Sequence, residues 1–212
     1  MSITTYAQLQ TTIATWLRPG TASTSGLQIT DFITLFENKA NRRLRLRVME
    51  SDESVVGVVS SRYVALPSGY LEPIALYLTD EDPREELDYR LPEQLCVLNQ
   101  NNRPQEWAID GTNIAFDVPC DQAYTMTFRM YERFALSDSA TTNWLLTNHP
   151  DLYLYGSLVN AAPYVRDSEM LPVWKTLVEE GMAELEHRES SIRGRAPLRT
   201  DLGVPRSNIL RG

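Results

Sequence analysis

Apolar residues recur at helical intervals towards both ends of the chain and at alternate positions through its middle. Tyr6, Leu9, Ile13 and Leu17 share one face of a predicted first helix. Thr5 and Gln8 have capping-box spacing at its start, and Pro19-Gly20 stops it. A Ser/Thr/Gly linker, TASTSG, fills residues 21–26. A second helix is predicted from Thr30-Asp31, where a capping hydroxyl and an early acid suit the helix dipole. Its buried stripe is expected to be Phe32, Leu35, Phe36, Ala40 and Leu44, leaving Glu37, Asn38, Asn41, Arg42 and Arg45 on the opposite face.

From about Val55 to Tyr131 the period changes to two. Short β-branched or alternating runs cover Val55–Val59, Arg62–Leu66 and Tyr70–Leu78, with a further candidate over Glu85–Arg90. Pro92 opens a short helix. Asp110-Gly111-Thr112 between two apolar runs predicts a hairpin. The clearest strand is Tyr124–Tyr131, with Tyr124, Met126, Phe128 and Met130 on one face. Helical spacing returns after Asn148. Leu152, Tyr155, Leu158, Val159 and Ala162 form one stripe that Pro163 is expected to end or kink. Leu171, Trp174, Val178, Met182 and Leu185 form another, begun at Asp167-Ser168-Glu169, and no periodicity remains after Ile192.

This order predicts an α+β chain: a four-helix bundle of two N-terminal and two C-terminal helices, with an inserted, mainly antiparallel β-sheet and an extended C-terminal arm. The expected boundaries are 1–50 and 148–192 for the bundle, 51–147 for the sheet domain and 193–212 for the arm.

Charge alters this picture at one place. The net charge is -8, yet residues 193–212 hold five Arg and one Asp, leaving 15 basic and 27 acidic residues elsewhere. An acidic body is a poor grip for nucleic acid, whose binding needs Lys and Arg to displace counterions. The arm reads as a protein-binding segment: Leu198, Leu202, Val204, Ile209 and Leu210 supply apolar anchors between Arg193, Arg195, Arg199, Arg206 and Arg211. Its Gly and Pro residues keep it out of helix and sheet. No apolar run approaches a membrane span, and MSITTYAQLQ lacks the pattern of a secretory leader, so neither a membrane nor export is expected.

Candidate chemistry is thin. Cys96 and Cys120 are isolated and read as reduced thiols, not as a disulfide or zinc set. His149-Pro150-Asp151 has no nucleophile motif beside it, and helix capping is the ordinary reason for such residues. The acidic run around Thr79–Glu86 lacks cation-loop spacing and reads as a solvated loop. Arg42, Arg43, Arg45 and Arg47 spread around a helix end near Glu37 and Glu50, which favours helix-end charge and intersubunit salt bridges over nucleic-acid binding. Trp144, Tyr153 and Tyr155 are expected in a core or interface. No catalytic residue, metal or cofactor is assigned.

Several stretches, in order, resemble the head-to-tail adaptor (connector) proteins of tailed bacteriophages: TTYAQLQTTIATWL at 4–17, FITLFENKANRRLRLRVME at 32–50, RYVALPSGYLEPIALYL at 62–78, YRLPEQL at 89–95, RPQEWAIDGTNIAF at 103–116 and LSDSATTNWLLTNHPDLYLYGSLVNAAPYVRD at 136–167. The resemblance implies a helical bundle carrying a β-sheet domain and a non-enzymatic structural role in the neck of the virion, with assembly in the host cytoplasm. It implies a homo-oligomeric ring, usually of twelve, bound to the portal protein through its C-terminal arms. The next tail or neck protein would lie below, and DNA would pass through the channel without sequence-specific binding. Rival readings are a gatekeeper or tail-completion ring, a nucleic-acid-binding regulator using the basic arm, and a hydrolase built on His149 and Asp151.

Overall fold

The computed structural model describes residues 3–17, 28–79, 84–165 and 169–193. Among these are five α-helices: α1 (Tyr6–Leu17), α2 (Ile29–Arg43), α3 (Trp144–Asn148), α4 (Pro150–Val165) and α5 (Leu171–Arg193). Eight strands lie between α2 and α3: β1 (Glu50–Val56), β2 (Tyr63–Ala65), β3 (Tyr70–Leu78), β4 (Glu85–Glu86), β5 (Asp88–Tyr89), β6 (Glu106–Asp110), β7 (Asn113–Phe116) and β8 (Thr125–Glu132).

The α+β class holds, but the expected four-helix bundle with one inserted sheet does not. The helices are arranged around α4, against which α1, α2, α3 and α5 all pack. The reason is α4's composition. It buries Leu152, Tyr153, Leu154, Gly156, Ser157, Leu158, Ala161 and Ala162, which lie around most of its circumference and not along one stripe. Pro163 does not end it: among the described residues the helix continues through it to Val165. The stripe Trp174, Val178, Met182 and Leu185 on α5 is buried as its spacing predicts.

The strands form two four-stranded sheets, in the orders β1-β8-β3-β4 and β2-β7-β6-β5. All pairings are antiparallel except β5 with β6. Met126, Phe128 and Met130 of β8 share one core with Trp107 of β6 and with Ile114 and Phe116 of β7, so the sheets pack face to face. The rings of Trp107 and Phe128 meet edge to face at 5.6 Å between centroids. A period of two marks which side chains point inward but does not say which strands are neighbours, so one expected sheet became two. The predicted hairpin is present: β6 and β7 pair through Asp110 and Asn113, and Gly111 takes φ +60° at the first position of a two-residue turn.

Candidate functional site

The surface with most chemistry lies where the C-terminal half of α2 runs beside α5 and meets the strands. The sequence stripe on α2 needs rotating. Ile29, Phe32, Ile33, Phe36, Glu37, Ala40 and Asn41 are buried, whereas Leu35 is 54% exposed. Glu37 and Asn41, assigned by polarity to the outer face, point inward because each has partners there. Asn41 pairs with the backbone of Phe134: its amide nitrogen donates to the carbonyl (2.8 Å), and its oxygen accepts from the N–H (3.1 Å). One turn earlier, Glu37 accepts from the Leu136 N–H (2.7 Å) and the Tyr153 hydroxyl (2.9 Å). Asn143 donates to the same hydroxyl (2.5 Å) and also caps α3 by accepting from the Leu146 N–H (2.9 Å). Burial pushes the Glu37 carboxyl up to about 7, against the opposing pull of the bonds from Tyr153 and Leu136. Burial, with Glu37 beside it, also pushes the Tyr153 phenol well above its ordinary range.

Three of the four arginines at the end of α2 are engaged within the chain. Arg43 forks between Glu179 and Glu186 of α5, with Nε 2.7 Å from Glu186. Lys39 reaches Glu179 at 3.1 Å, and Arg47 reaches Glu189 at 3.3 Å. The pairs follow the same order on both helices, so α2 and α5 run parallel here. Arg45 bonds Glu72 at 2.5 Å and donates to the carbonyls of Asn41 (2.8 Å) and Leu44 (2.7 Å), closing the C-terminus of α2. Arg42 is exposed and makes no ion pair among the described residues. Below this ladder, Leu35 on α2 and Val173 and Leu177 on α5 are exposed apolar side chains.

Where the helices meet the strands, Leu46, Val48, Trp144, Leu185, Arg188 and Glu189 line a depression of about 490 Å³. Trp144 stands edge-on to Phe134, with ring centroids 5.3 Å apart. His149 also lines the depression. Its backbone joins α3 to α4, donating to the Leu145 carbonyl (2.7 Å) and accepting from the Leu152 N–H (3.2 Å). Tyr153 is fully buried, and Tyr155 meets Trp16 edge to face at 6.1 Å.

Elsewhere, Cys96 is exposed and Cys120 buried, the latter with its thiol pushed up to about 11 by burial. Glu85 and Glu86, at the edge of the predicted acidic loop, form the exposed strand β4, and Glu85 pairs with Arg103. Residues 80–83 lie outside the described residues. So do Arg195, Leu198, Arg199, Leu202, Val204, Arg206, Ile209, Leu210 and Arg211 of the arm; Arg193 is the last residue of α5.

Sequence reasoning missed Glu37, Asn41 and the Trp144 depression. A signal for the first two was present, since Ile29, Ile33, Glu37 and Asn41 repeat every four residues alongside Phe32, Phe36 and Ala40.

No helix among the described residues is long and apolar enough to cross a membrane. A search of curated proteins finds no match. A family model described as SU10 adaptor protein matches residues 4–201, from the first helix into the arm. With nearly the whole chain matched, the protein belongs to the SU10 adaptor protein family, a family of phage head-to-tail adaptors.

Proposed function

We propose that copies of this chain form a ring, twelvefold as in the adaptors it resembles, that joins the portal vertex of a phage head to the next tail component and leaves a channel for DNA. The observation that carries this reading is the family match over residues 4–201. The arm, residues 193–212, docks on the portal: its arginines meet acidic or carbonyl-rich surface, and Leu198, Leu202, Val204, Ile209 and Leu210 act as anchors. Several arms acting on one portal make weak single contacts sufficient.

Neighbouring copies meet through the α2–α5 face. Leu35, Val173 and Leu177 supply exposed apolar area, and Arg42 supplies a charge without an in-chain ion-pair partner among the described residues. Arg43, Arg45 and Arg47 flank that face, and their partners Glu179, Glu72 and Glu189 leave mixed charge across it. The body's net charge of -12, excluding the arm, suits a channel wall that DNA passes without adhering.

The test is co-sedimentation with purified portal, followed by imaging of the complex. Full-length protein is expected to bind and give a rotationally symmetric ring. A chain lacking 193–212 is expected to keep its circular-dichroism spectrum and lose binding. Undiminished docking by the shortened chain would remove the arm from the interface, and capture by tail tube instead of portal would place the protein lower in the neck.

A further inference from the structure

Backbone pairing leaves one long strand edge open. The register of β1 on β8 runs unbroken through seven residue pairs, and Gly57 continues it by donating to the Tyr124 carbonyl. That bond fixes the alternation. Ser51, Glu53 and Val55 face β8, and the backbone N–H and C=O groups of Asp52, Ser54 and Val56 point the other way. β1 ends its sheet, so these groups have no strand to bond among the described residues. Such edges are ordinarily blunted by proline, by bulges or by charge. In the same sheet β3 has Pro73 and two register shifts, whereas β1 has no proline and no shift. Its remaining guard is charge, in Glu50, Asp52 and Glu53. Arg129 holds Glu50 at 2.6 Å and lies 3.9 Å from Asp52, so carboxylates outnumber the guanidinium. The β1 strand of a second copy laid here would set acid against acid, while a strand with a basic residue would be drawn in. Asp52, Ser54 and Val56 are exposed and alternate with buried Val55 on the far side, and Val56 is 51% exposed. An incoming strand therefore meets a carboxylate and, four residues further along the same face, an apolar side chain.

We propose that β1 is a docking edge for an extended segment of another protein, in which a lysine or arginine and an apolar residue stand four positions apart. The segment adds to the sheet beyond β1, giving the order segment-β1-β8-β3-β4. Running antiparallel, it exchanges backbone bonds with Asp52, Ser54 and Val56. Its basic residue lies opposite Asp52 and its apolar residue opposite Val56, both on the outer face. The backbone bonds supply affinity whatever the sequence, and the two side chains select the partner. A nucleic acid is a poor occupant, because its phosphates would meet carboxylates. This docking is independent of whether the chain forms a ring and of what residues 193–212 bind.

The experiment titrates the full-length chain with the end-capped peptide Thr-Val-Thr-Thr-Thr-Arg-Thr and follows amide NMR shifts and hydrogen exchange. At saturation, exchange at Asp52, Ser54 and Val56 is expected to slow about tenfold, while Ser51, Glu53 and Val55, which already face β8, stay unchanged. N-methylating the Val, central Thr and Arg nitrogens of the peptide keeps its charge and removes its edge bonds, and should weaken binding about tenfold. Ser54→Pro should do the same, because it removes an N–H that β8 does not use. Asp52→Arg, at a side chain 52% exposed, leaves the ladder intact; it should reject the Arg peptide and accept the same peptide with Glu in place of Arg. Absence of saturable binding, equal binding of the N-methylated peptide, or unchanged affinity in Asp52→Arg overturns the proposal. Slow exchange at Asp52, Ser54 and Val56 before any peptide is added also overturns it, because the chain itself or a second copy then holds the edge.

Discussion

Replacing Gly156 by Ala tests the close crossing of α2 and α4. A Cβ built at Gly156 would lie 2.1 Å from Cδ2 of Phe36, 2.3 Å from Cε2 and 2.6 Å from Cγ. Phe36 is 1% exposed and its ring abuts Tyr153 at 5.3 Å between centroids, so it has no vacant space to enter. The helices must then separate or the ring must leave its rotamer, and overpacking of this kind costs about 1–3 kcal/mol. With three ring atoms inside contact distance the upper end applies. Ala improves helix propensity over Gly by about 1 kcal/mol, which offsets part of the loss. The net expectation is roughly 2 kcal/mol of destabilisation, or about 4–8 °C in Tm for a chain of this size. Thermal and urea unfolding followed by circular dichroism would measure it. The double mutant with Phe36→Leu supplies the control: with the ring gone, Gly156→Ala should cost at least 1 kcal/mol less than in the unaltered chain, the scale of coupling seen between touching residues. A Tm that is unchanged or raised by Gly156→Ala alone, or a cost equal in both backgrounds, would refute the steric argument.

Two further outcomes follow from buried titrating groups. The Glu37 carboxyl is held up to about 7 in the fold against 4.5 outside it, so the folded chain keeps a proton that the unfolded chain has released between those values. That contribution is fully present below about pH 4.5 and is lost as pH rises through about 7, by an amount on the order of 3 kcal/mol. Glu37→Gln should flatten that part of the Tm–pH profile, and an identical profile in the variant would refute the assignment. At pH 8 iodoacetamide should label exposed Cys96 and spare buried Cys120 until the chain unfolds; equal labelling of both by intact-mass measurement would contradict the buried-thiol description.

Much of the local structure was legible because it depends on neighbours in sequence. The alternation at Met126, Phe128 and Met130, the Asp110-Gly111 hairpin and the stripe from Trp174 to Leu185 each follow from a period or a turn residue. What was lost depends on distant partners. Glu37 and Asn41 read as solvent-facing because a polar residue goes inside only when something there bonds it. Their partners at Leu136 and Phe134 are more than ninety residues away. The same limit explains the sheets: pairing β5 in parallel with β6, and β8 between β1 and β3, is a matter of topology that alternation does not encode. On α4, Gly156 and Ser157 interrupt the apolar stripe in sequence, yet in the fold both are buried, and Gly156 is where Phe36 of α2 comes close. Among the candidate residues, the arginines of α2 were found by their clustering, whereas their engagement with α5 required both helices to be placed. The Trp144 depression, assembled from three separated segments, had no sequence signature at all.

The clamp between Asn41 and Phe134 has a mechanical consequence. Among the described residues the chain passes between the helices and the sandwich only twice, from α2 into β1 and from β8 towards α3, and β1 and β8 are hydrogen-bonded neighbours. Two adjacent crossings alone would act as a hinge about the line between them. Asn41 rivets the second crossing to the helix that feeds the first, and Glu37 adds a fixing point one turn away. Bending at this waist must break several buried bonds at once, so a load applied to the strands is passed to α2 before the junction yields.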